Sequence, residues 1–371
     1  MSADERIGMV PVISVILPVY NGAAYLTLAV ESILNQSFGD FELIAIEGGS
    51  RDSSPEILAG LADRDARIRV AKQAGPGLVG ALNQGIALSR GEFLARMDAD
   101  DVAHPERFAV QLDFLRCHPD IAVVGAAMTL IDAAGRRLRD IDYPVQPADV
   151  ARALESGSAL AHPAVMMRRG AVQEVGGYRE ILDHAEDYDL WLRMSERGLL
   201  ANLPDRLLSY RQHAGKRGSI FAFEQELHTQ FARLSATARR AGHADPLDAL
   251  SCLDLNTLDR FAIPAAERER LVFELLGPLL AAPGPNELAK AAEVIRLLGP
   301  SPIDRARAAQ KKTELSMLYF KAARPVATLT WAVRAIGTRP GESIRILAAI
   351  GRRVERRLAA AGTRLLRSVR T

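Results

Sequence analysis

The sequence predicts an α/β fold: a mostly parallel β-sheet with helices on both faces, followed by a helical C-terminal region. Two observations lead to this prediction. Over the first third of the chain, short β-branched runs alternate with segments of helical periodicity, as they do in parallel sheets. Beyond about Gly218 the chain becomes rich in Ala, Leu and Arg at helical spacing, which indicates helices without intervening strands.

The elements of the sheet follow in order along the chain. Strands are predicted over Ile13–Val19, Phe41–Ile46, Ile68–Val70, Phe93–Met97, Ile121–Leu130 and Ala164–Met167. Helices are predicted over Ala23–Asn35, from a cap at Ser53 or Ser54 with Pro55 in the first turn, and over Leu78–Leu88 and Asp187–Arg197. Ligands bind beyond the carboxyl ends of parallel strands, so the segments that directly follow the strands are expected to hold the site.

Length and composition bound the class of protein. The 371 residues allow one catalytic domain and an appendage. Two distant cysteines, Cys117 and Cys252, form neither a metal knuckle nor a disulfide scaffold and favour a reducing compartment. The charged segment Met1–Gly8 has no apolar stretch, and the longest apolar run, Ile121–Ile131, is too short to span a bilayer. We therefore expect a cytoplasmic protein without a signal peptide.

The net charge of +2 hides an uneven distribution. Residues 301–371 contain 16 Lys and Arg against 4 Asp and Glu, whereas the rest of the chain is net acidic. Within this tail an apolar stripe repeats at three- and four-residue steps and predicts a basic amphipathic helix over 339–371. Such a helix suits an anionic membrane surface, which would make the protein peripheral on the inner face of the membrane. The alternative is that the stripe packs on the catalytic domain. The predicted helix over 339–371 contains no aromatic residues, so nucleic acid is not expected as a partner.

An acidic cluster, Asp98-Ala99-Asp100-Asp101, follows the strand that ends at Met97. Three carboxylates in four residues repel one another unless a cation lies among them, and Mg²⁺ or Mn²⁺ would bridge such oxygens to phosphate. The alternative is that Asp101 caps the next helix while the other two acids are merely solvated. The position at the carboxyl end of a strand favours the metal site.

A second group of acids, Glu186, Asp187 and Asp189, opens a predicted helix. The helix dipole alone favours acids there, but one of them could also be a general base that deprotonates an acceptor hydroxyl. Two histidines are further candidates. His213 precedes a basic stretch that could close over a diphosphate, and for His162 we favour a structural role. Residues 75–77 lack the full dinucleotide-binding pattern, so NAD is not expected as a ligand.

Together these segments resemble the family 2 glycosyltransferases, whose fold is GT-A, from about Ile13 to Ser219. The similar segments occur in the family's order: Pro18-Val19-Tyr20-Asn21, Gly91 to Asp101, Pro105-Glu106-Arg107-Phe108 with His118-Pro119-Asp120, Ala185 to Trp191, and Tyr210-Arg211-Gln212-His213. One segment departs from the pattern. Members commonly carry two aspartates before Gly-Ser after the second strand, where this chain has Glu47-Gly48-Gly49-Ser50.

The resemblance implies a role for each of these segments. It implies nucleotide binding by Pro18, Val19, Tyr20, Asn21, Glu47, Asn83 and Asp98, a Mn²⁺ or Mg²⁺ ion held by Asp100 and His213, Asp187 as the catalytic base, and acceptor-binding or supporting roles for Glu186 and His162. The implied domains are a tail over 1–10, a GT-A catalytic domain over 11–220, a helical region over 221–338 and the amphipathic helix over 339–371.

The implied reaction moves a sugar from a nucleotide donor, with UDP or dTDP favoured, to a hydroxyl of a glycan or lipid-linked acceptor. It would proceed with inversion and serve cell-surface polysaccharide synthesis. A nucleotidyltransferase is the nearest rival, but it would need a Gly-rich basic loop where this chain has Tyr20-Asn21-Gly22-Ala23. A catalytically degenerate protein that only binds nucleotide sugars is the other alternative, and the Glu47-Gly48 change keeps it open.

Overall fold

The structure is a computed structural model that describes residues 10–212, 219–261, 263–281, 285–295 and 297. It confirms the α/β prediction. The chain divides into two compact units, the first comprising Met1–Lys216 with Phe231–Leu253 and the second Arg217–Gln230 with Asp254–Thr371. The sheet and the helices that flank it belong to the first unit.

Four parallel strands form one half of the sheet, in the order β3-β2-β1-β4. They are β1 (Ile13–Val19), β2 (Phe41–Glu47), β3 (Ile68–Lys72) and β4 (Phe93–Arg96), and the helices between them are α1 (Leu26–Leu34), α2 (Ser54–Ala62) and α3 (Gly77–Leu88). Because parallel strands all point the same way, the segments after β1, β2 and β4 lie side by side at one edge of the sheet.

Helices cover both faces of this half, as the alternating pattern predicts. Leu26 and Ile33 of α1 are fully buried in the large apolar cluster that also contains alternate residues of β1. On the opposite face, Ala81 of α3 packs with Ile44 and Ile46 of β2. Burial on both faces explains why β1 and β2 are nearly continuous apolar runs, whereas the edge strand β3 is partly exposed.

The other half of the sheet is mixed. β8 (Met166–Arg168) lies antiparallel between β4 and β6 (Ile121–Ile131), and β6 pairs in parallel with β9 (Leu199–Arg211). The short strand β5 (Val102–Ala103) pairs with β9, and the edge strand β7 (Arg137–Ile141) pairs with β6. The helices of this half are α4 (Arg107–Cys117), α5 (Pro147–Leu154), α6 (Arg169–Glu174) and α7 (Glu186–Ser195).

Beyond the sheet the described elements are helical, as predicted. They are α8 (Ser219–Arg240), α9 (Ala265–Ala281) and α10 (Pro285–Ile295). In the second unit Gln230 donates to Glu226 and Glu274 at 2.6 Å each, and Leu275 of α9 and Val294 of α10 are fully buried. Within the described ranges, no helix is both long and apolar enough to cross a bilayer. The predicted helix over 339–371, His213 and the basic stretch 215–218 lie outside the described residues.

Candidate active site

The acidic cluster lies where β4 ends, beside β1 in the middle of the sheet. One carboxylate oxygen each of Asp98, Asp100 and Asp101 lies within 4.8 Å of the other two. Asp98 and Asp100 are partly exposed, whereas Asp101 is fully buried. Three converging carboxylates are a donor set that suits a hard divalent cation, so the residues present fit Mg²⁺ or Mn²⁺.

Asp101 is held by β9 and not by the helix that follows it. Its Oδ1 accepts a hydrogen bond from the backbone N–H of Arg211 at 2.9 Å, and the residue before α4 is Glu106. The expectation that Asp101 caps that helix is therefore wrong. Its Oδ2 is buried and has no hydrogen-bond partner among the described residues. Burial, together with the charge of Asp98, raises the pKa of Asp101 well above its ordinary value.

Arg211 anchors the loop that carries the acids. Its Nε donates to the carbonyl of Asp100 at 2.8 Å, and Nη1 donates to the carbonyls of Asp132 and Ala133 at 3.2 Å each. The guanidinium also lies over the ring of Tyr25, 4.4 Å from its centroid. The last residue of β9 thus fixes both the backbone of Asp100 and the carboxylate of Asp101.

A buried arginine, Arg96, contacts the acidic cluster. Arg96, the last residue of β4, donates from Nη2 to Oδ1 of Asp98 at 2.7 Å, and its side chain is only 4% exposed. Arg96 is not among the residues predicted to form the site, although a charge inside an apolar strand is itself a signal, because arginine is rarely buried without a partner.

The acids at the start of α7 divide into two groups. Asp189 is fully buried and accepts from Arg179 at 2.5 and 3.0 Å and from Arg193 at 2.9 Å, which makes it an ion-pair anchor of the helix. Glu186 and Asp187 have a different environment. Burial and the neighbouring Asp187 charge raise the pKa of Glu186 to about 7. Burial likewise raises the pKa of Asp187, which also senses the charges of Arg96 and Asp98.

His162 is a buried histidine that contacts two aromatic side chains. The ring is buried, its Nε2 is 2.7 Å from the hydroxyl of Tyr178, and it contacts the Trp191 ring edge-to-face with centroids 5.9 Å apart. Burial lowers the pKa of His162 well below its ordinary value. Tyr178 in turn senses the charges of Arg96, Asp187 and Glu186, which shows that all these groups share one region.

Asn83 is tied to the same region through Tyr178. Its side-chain amide donates to the Tyr178 carbonyl at 2.8 Å and its amide oxygen accepts from the Tyr178 N–H at 2.9 Å. Both ends of the amide therefore hold the protein backbone, and Asn83 positions the loop after α6.

The loop after β1 is interlocked with the loop after β2. Asn21 has a positive φ of 50°, its N–H donates to Ser50 Oγ at 3.0 Å, and its amide oxygen accepts from Arg51 N–H at 2.8 Å. Asn and Asp tolerate this left-handed conformation because their side chains bond locally. Before it, Pro18 is partly buried, Val19 is buried in the core, and Tyr20 is 63% exposed, so only Tyr20 offers a free aromatic face.

Glu47 and Gly48, which stand where family members commonly have two aspartates, are both in close contact with neighbouring backbone. Its carboxylate accepts from the N–H groups of Gly49 at 3.1 Å and Ser50 at 2.6 Å. Burial raises the pKa of Glu47, but the hydrogen bonds from Ser50 and Gly49 outweigh it and lower the pKa overall. At Gly48 a Cβ would lie 2.8 Å from Oε1 of the flexible Gln73 side chain and 3.2 Å from the Val19 carbonyl, so the loops after β1 and β2 approach closely there.

The structure thus brings together most of the predicted residues. Asp98, Asp100, Asp101, Glu186, Asp187 and His162 gather with Arg96 and Tyr178 at the end of β4, and Tyr20, Asn21 and Glu47 lie at the ends of the neighbouring strands β1 and β2. The exceptions are Val19, which faces the core, and Asn83, which binds backbone.

Comparison with known proteins agrees with this geometry. The family model described as glycosyl transferase family 2 matches residues 14–176. The Bacillus subtilis glycosyltransferase EpsE is 33% identical over 210 residues, 54% of this chain and 73% of that protein. The Escherichia coli O-antigen biosynthesis glycosyltransferase WbnJ is 33% identical over 205 residues, 54% of this chain and 80% of that protein.

A solved structure shares the fold. The crystal structure of residues 1–349 of S. aureus TarS superposes with a TM-score of 0.51 at 17% identity, covering 88% of this chain and 91% of that one. At this identity the likeness concerns the GT-A fold alone. The sequence relatives carry the assignment further: the chain belongs to the family 2 glycosyltransferases.

Proposed function

We propose that the protein transfers a sugar from a nucleoside-diphosphate donor, with UDP or dTDP as the favoured carrier, to a hydroxyl group of an acceptor. One observation carries the proposal. The three converging carboxylates of Asp98, Asp100 and Asp101 lie in the same region as the Glu186–Asp187 pair, close enough for Asp98 to act on the ionisation of Asp187. A diphosphate site and a proton acceptor are the two parts that such a transfer needs.

The donor end of the site is assigned to the loops after β1, β2 and β4. Asp100 and His213 would hold Mn²⁺ or Mg²⁺, and Asp98 would bind the ribose or a water of the metal. The ion, when bound, neutralises the charge that develops on the departing diphosphate. Pro18, Tyr20, Asn21 and Glu47 would frame the nucleoside, while Val19, buried in the core, and Asn83, bound to the Tyr178 backbone, would support these loops. Of these, Tyr20 presents an exposed ring that suits stacking, while Glu47 keeps lone pairs beyond the two that the Gly49 and Ser50 N–H groups occupy.

The acceptor end is assigned to the start of α7. Asp187 would take the proton of the acceptor hydroxyl as its oxygen attacks the anomeric carbon, and the bond from that carbon to the diphosphate oxygen would break on the opposite face. This geometry gives inversion without a covalent intermediate. A raised pKa suits a general base, because the most effective base has a pKa near the pH at which the enzyme works. Glu186 and His162 would support Asp187, His162 through Tyr178.

The biological setting is also part of the proposal. WbnJ is named as an O-antigen biosynthesis enzyme, and by analogy we place this protein in cell-surface polysaccharide synthesis with a glycan or lipid-linked acceptor. The predicted basic helix over 339–371 would hold the enzyme at an anionic membrane surface, where lipid-linked acceptors occur.

A thermal-shift panel tests the donor assignment. The full-length protein is heated with UDP, dTDP, GDP or CMP, each with and without Mn²⁺. We expect UDP or dTDP to raise the melting temperature only when Mn²⁺ is present, because ligand binding to the folded state stabilises it. TarS has also been solved in complex with UDP, which makes UDP the first nucleotide to test. If only GDP or only CMP raises the melting temperature, the donor carries that nucleotide instead. If no nucleotide raises it, the proposed donor site is refuted.

A further inference from the structure

The end of α8 and the turn that follows it belong to the same compact unit as the sheet. They form the segment Phe231–Leu253, which we call the return segment. It lies beyond residues 14–176, which the family model matches, and beyond residue 220, where the resemblance implies that the catalytic domain ends. Its contacts within the unit show what it contributes there.

Asp245 of the return segment is joined to α7 through Arg179. Nη1 of Arg179 donates to Oδ2 of Asp245 at 2.8 Å, while Nε and Nη2 donate to the carboxylate of Asp189 at 3.0 and 2.5 Å. Ser235 of α8 donates to Oδ1 of Asp245 at 2.7 Å and accepts from Arg179 at 3.2 Å. The side chains of Asp245 and Asp189 are 9% and 0% exposed, so little water competes for these charged hydrogen bonds.

A second contact with α7 comes from Arg233, which lies in α8. Its Nε donates to the hydroxyl of Tyr188 at 3.2 Å, and its guanidinium lies over the Tyr188 ring, 5.8 Å from the centroid. Arg233 also donates to the carbonyl of Ser156. Tyr188 directly follows Asp187, and its N–H donates to the Asp187 carboxylate at 2.7 Å. Arg233 therefore holds the residue whose backbone N–H binds the proposed base.

Both contacts act on the first turn of α7, which carries Asp187 between Glu186 and Tyr188. Because one helical turn contains about 3.6 residues, a displacement of Tyr188 or Asp189 also displaces Asp187. A general base must lie within hydrogen-bond reach of the proton that it takes, and a misplacement of about 1 Å can cost about 10²-fold in rate. The position of this turn therefore matters for the proposed reaction.

We propose that the return segment is part of the catalytic apparatus: Asp245, through Arg179, and Arg233, through Tyr188, are positioning residues that hold the first turn of α7 where Asp187 acts as base. The inference rests on the proposed role of Asp187. It also extends the catalytic domain beyond residue 220, to the turn that contains Asp245.

Amide hydrogen exchange in the full-length protein tests whether the return segment holds α7, and it needs neither donor nor acceptor. Asp245→Asn removes the charge that two arginines share, and Arg233→Met removes the contact with Tyr188. In both variants we expect the N–H groups of residues 189 and 190, resolved by electron-transfer fragmentation, to exchange on the order of tenfold faster. The reason is that the loss of a charged hydrogen bond makes local opening of this turn easier.

Glu196→Gln is the matched control. Glu196 also pairs with α8, through Arg239 at 2.8 Å, but it lies at the other end of α7. The control therefore removes one ion pair between the same two helices without touching the first turn. The N–H groups of residues 189 and 190 should exchange as in the wild type.

Hydrolysis of UDP-sugars gives the second readout, because water can replace the acceptor and Asp187 would take its proton. Release of UDP is measured with Mn²⁺ and UDP-glucose, UDP-galactose or UDP-N-acetylglucosamine. Asp245→Asn and Arg233→Met should lower kcat on the order of 10²-fold and leave KM for the UDP-sugar unchanged, since neither residue contacts the donor loops. Asp245→Glu keeps the charge and should recover most of kcat, and Glu196→Gln should keep the kcat of the wild type.

The two readouts separate the possible outcomes. Unchanged exchange in folded Asp245→Asn and Arg233→Met overturns the proposal. Faster exchange with the kcat of the wild type also overturns it, because the segment then stabilises α7 without positioning the base, and so does an equal loss of kcat in Glu196→Gln. If neither variant folds, the segment is scaffold and the proposal is overturned as well. A wild type that hydrolyses no UDP-sugar counts against the proposed function, and the exchange of α7 then decides the inference alone.

Discussion

Glu186 should make the protein less stable as the pH rises, and its replacement by glutamine should remove that effect. Burial and the neighbouring Asp187 charge raise the pKa of Glu186 from 4.5 to about 7 in the folded protein. A raised carboxyl pKa opposes folding wherever the unfolded chain is already ionised. The penalty is therefore absent below pH 4.5, grows between pH 4.5 and 7, and is complete above pH 7.

The size of the penalty follows from the shift. At about 1.4 kcal/mol per pKa unit, the rise corresponds to roughly 3 kcal/mol at pH 8. The free energy of unfolding of Glu186→Gln, measured relative to the wild type, should therefore be about 2 to 3 kcal/mol higher at pH 8 than at pH 5. Urea denaturation at both pH values measures this difference. Glu56→Gln is the matched control, because Glu56 also lies in the first turn of a helix but is exposed. An equal effect of Glu186→Gln at the two pH values would refute the reasoning.

Two further predictions concern the other acids of α7. Asp187→Asn should lower the transfer rate on the order of 10²–10⁴-fold while the UDP and Mn²⁺ melting shift stays that of the wild type, since a lost base affects the reaction and not donor binding. Asp189→Ala should lower the free energy of unfolding by about 3–5 kcal/mol in urea denaturation, because it leaves the buried Arg193 and the half-buried Arg179 without their shared partner. A variant of Asp189 as stable as the wild type would contradict its role as an anchor.

The parallel half of the fold could be predicted from the sequence because β1, β2 and β4 are almost entirely buried and appear as short apolar runs. Strand β9 could not. It is interrupted by Pro204, Asp205 and Arg206, which look like a loop in one dimension. In the structure the pairing of β6 with β9 shifts register around Ala127, and the polar residues fall in that irregularity. β9 could therefore not be recognised as one long strand, because its irregular part contains residues that usually end strands.

The site was predictable where its residues follow strands in sequence, and less so where they meet only in space. Asp98 and Asp100 could be predicted because they follow β4 directly in the sequence. The contact of His162 with Tyr178 has no signature in the sequence, because strand β8 and helix α6 separate the two residues along the chain. Nor could the sequence show that Glu47 uses its carboxylate to hold the N–H groups of Gly49 and Ser50.

The first turn of α7 shows how the structure narrows the choice of base. The helix dipole favours all three acids there equally, so the sequence left Asp187, Glu186 and Asp189 as alternatives. Asp189 is now excluded as a base, because Arg179 donates to both of its oxygens, Arg193 donates to one of them, and the side chain is fully buried. If Asp187→Asn retains full activity, Glu186 is the remaining acid of the three, and its pKa of about 7 would let it accept a proton near neutral pH.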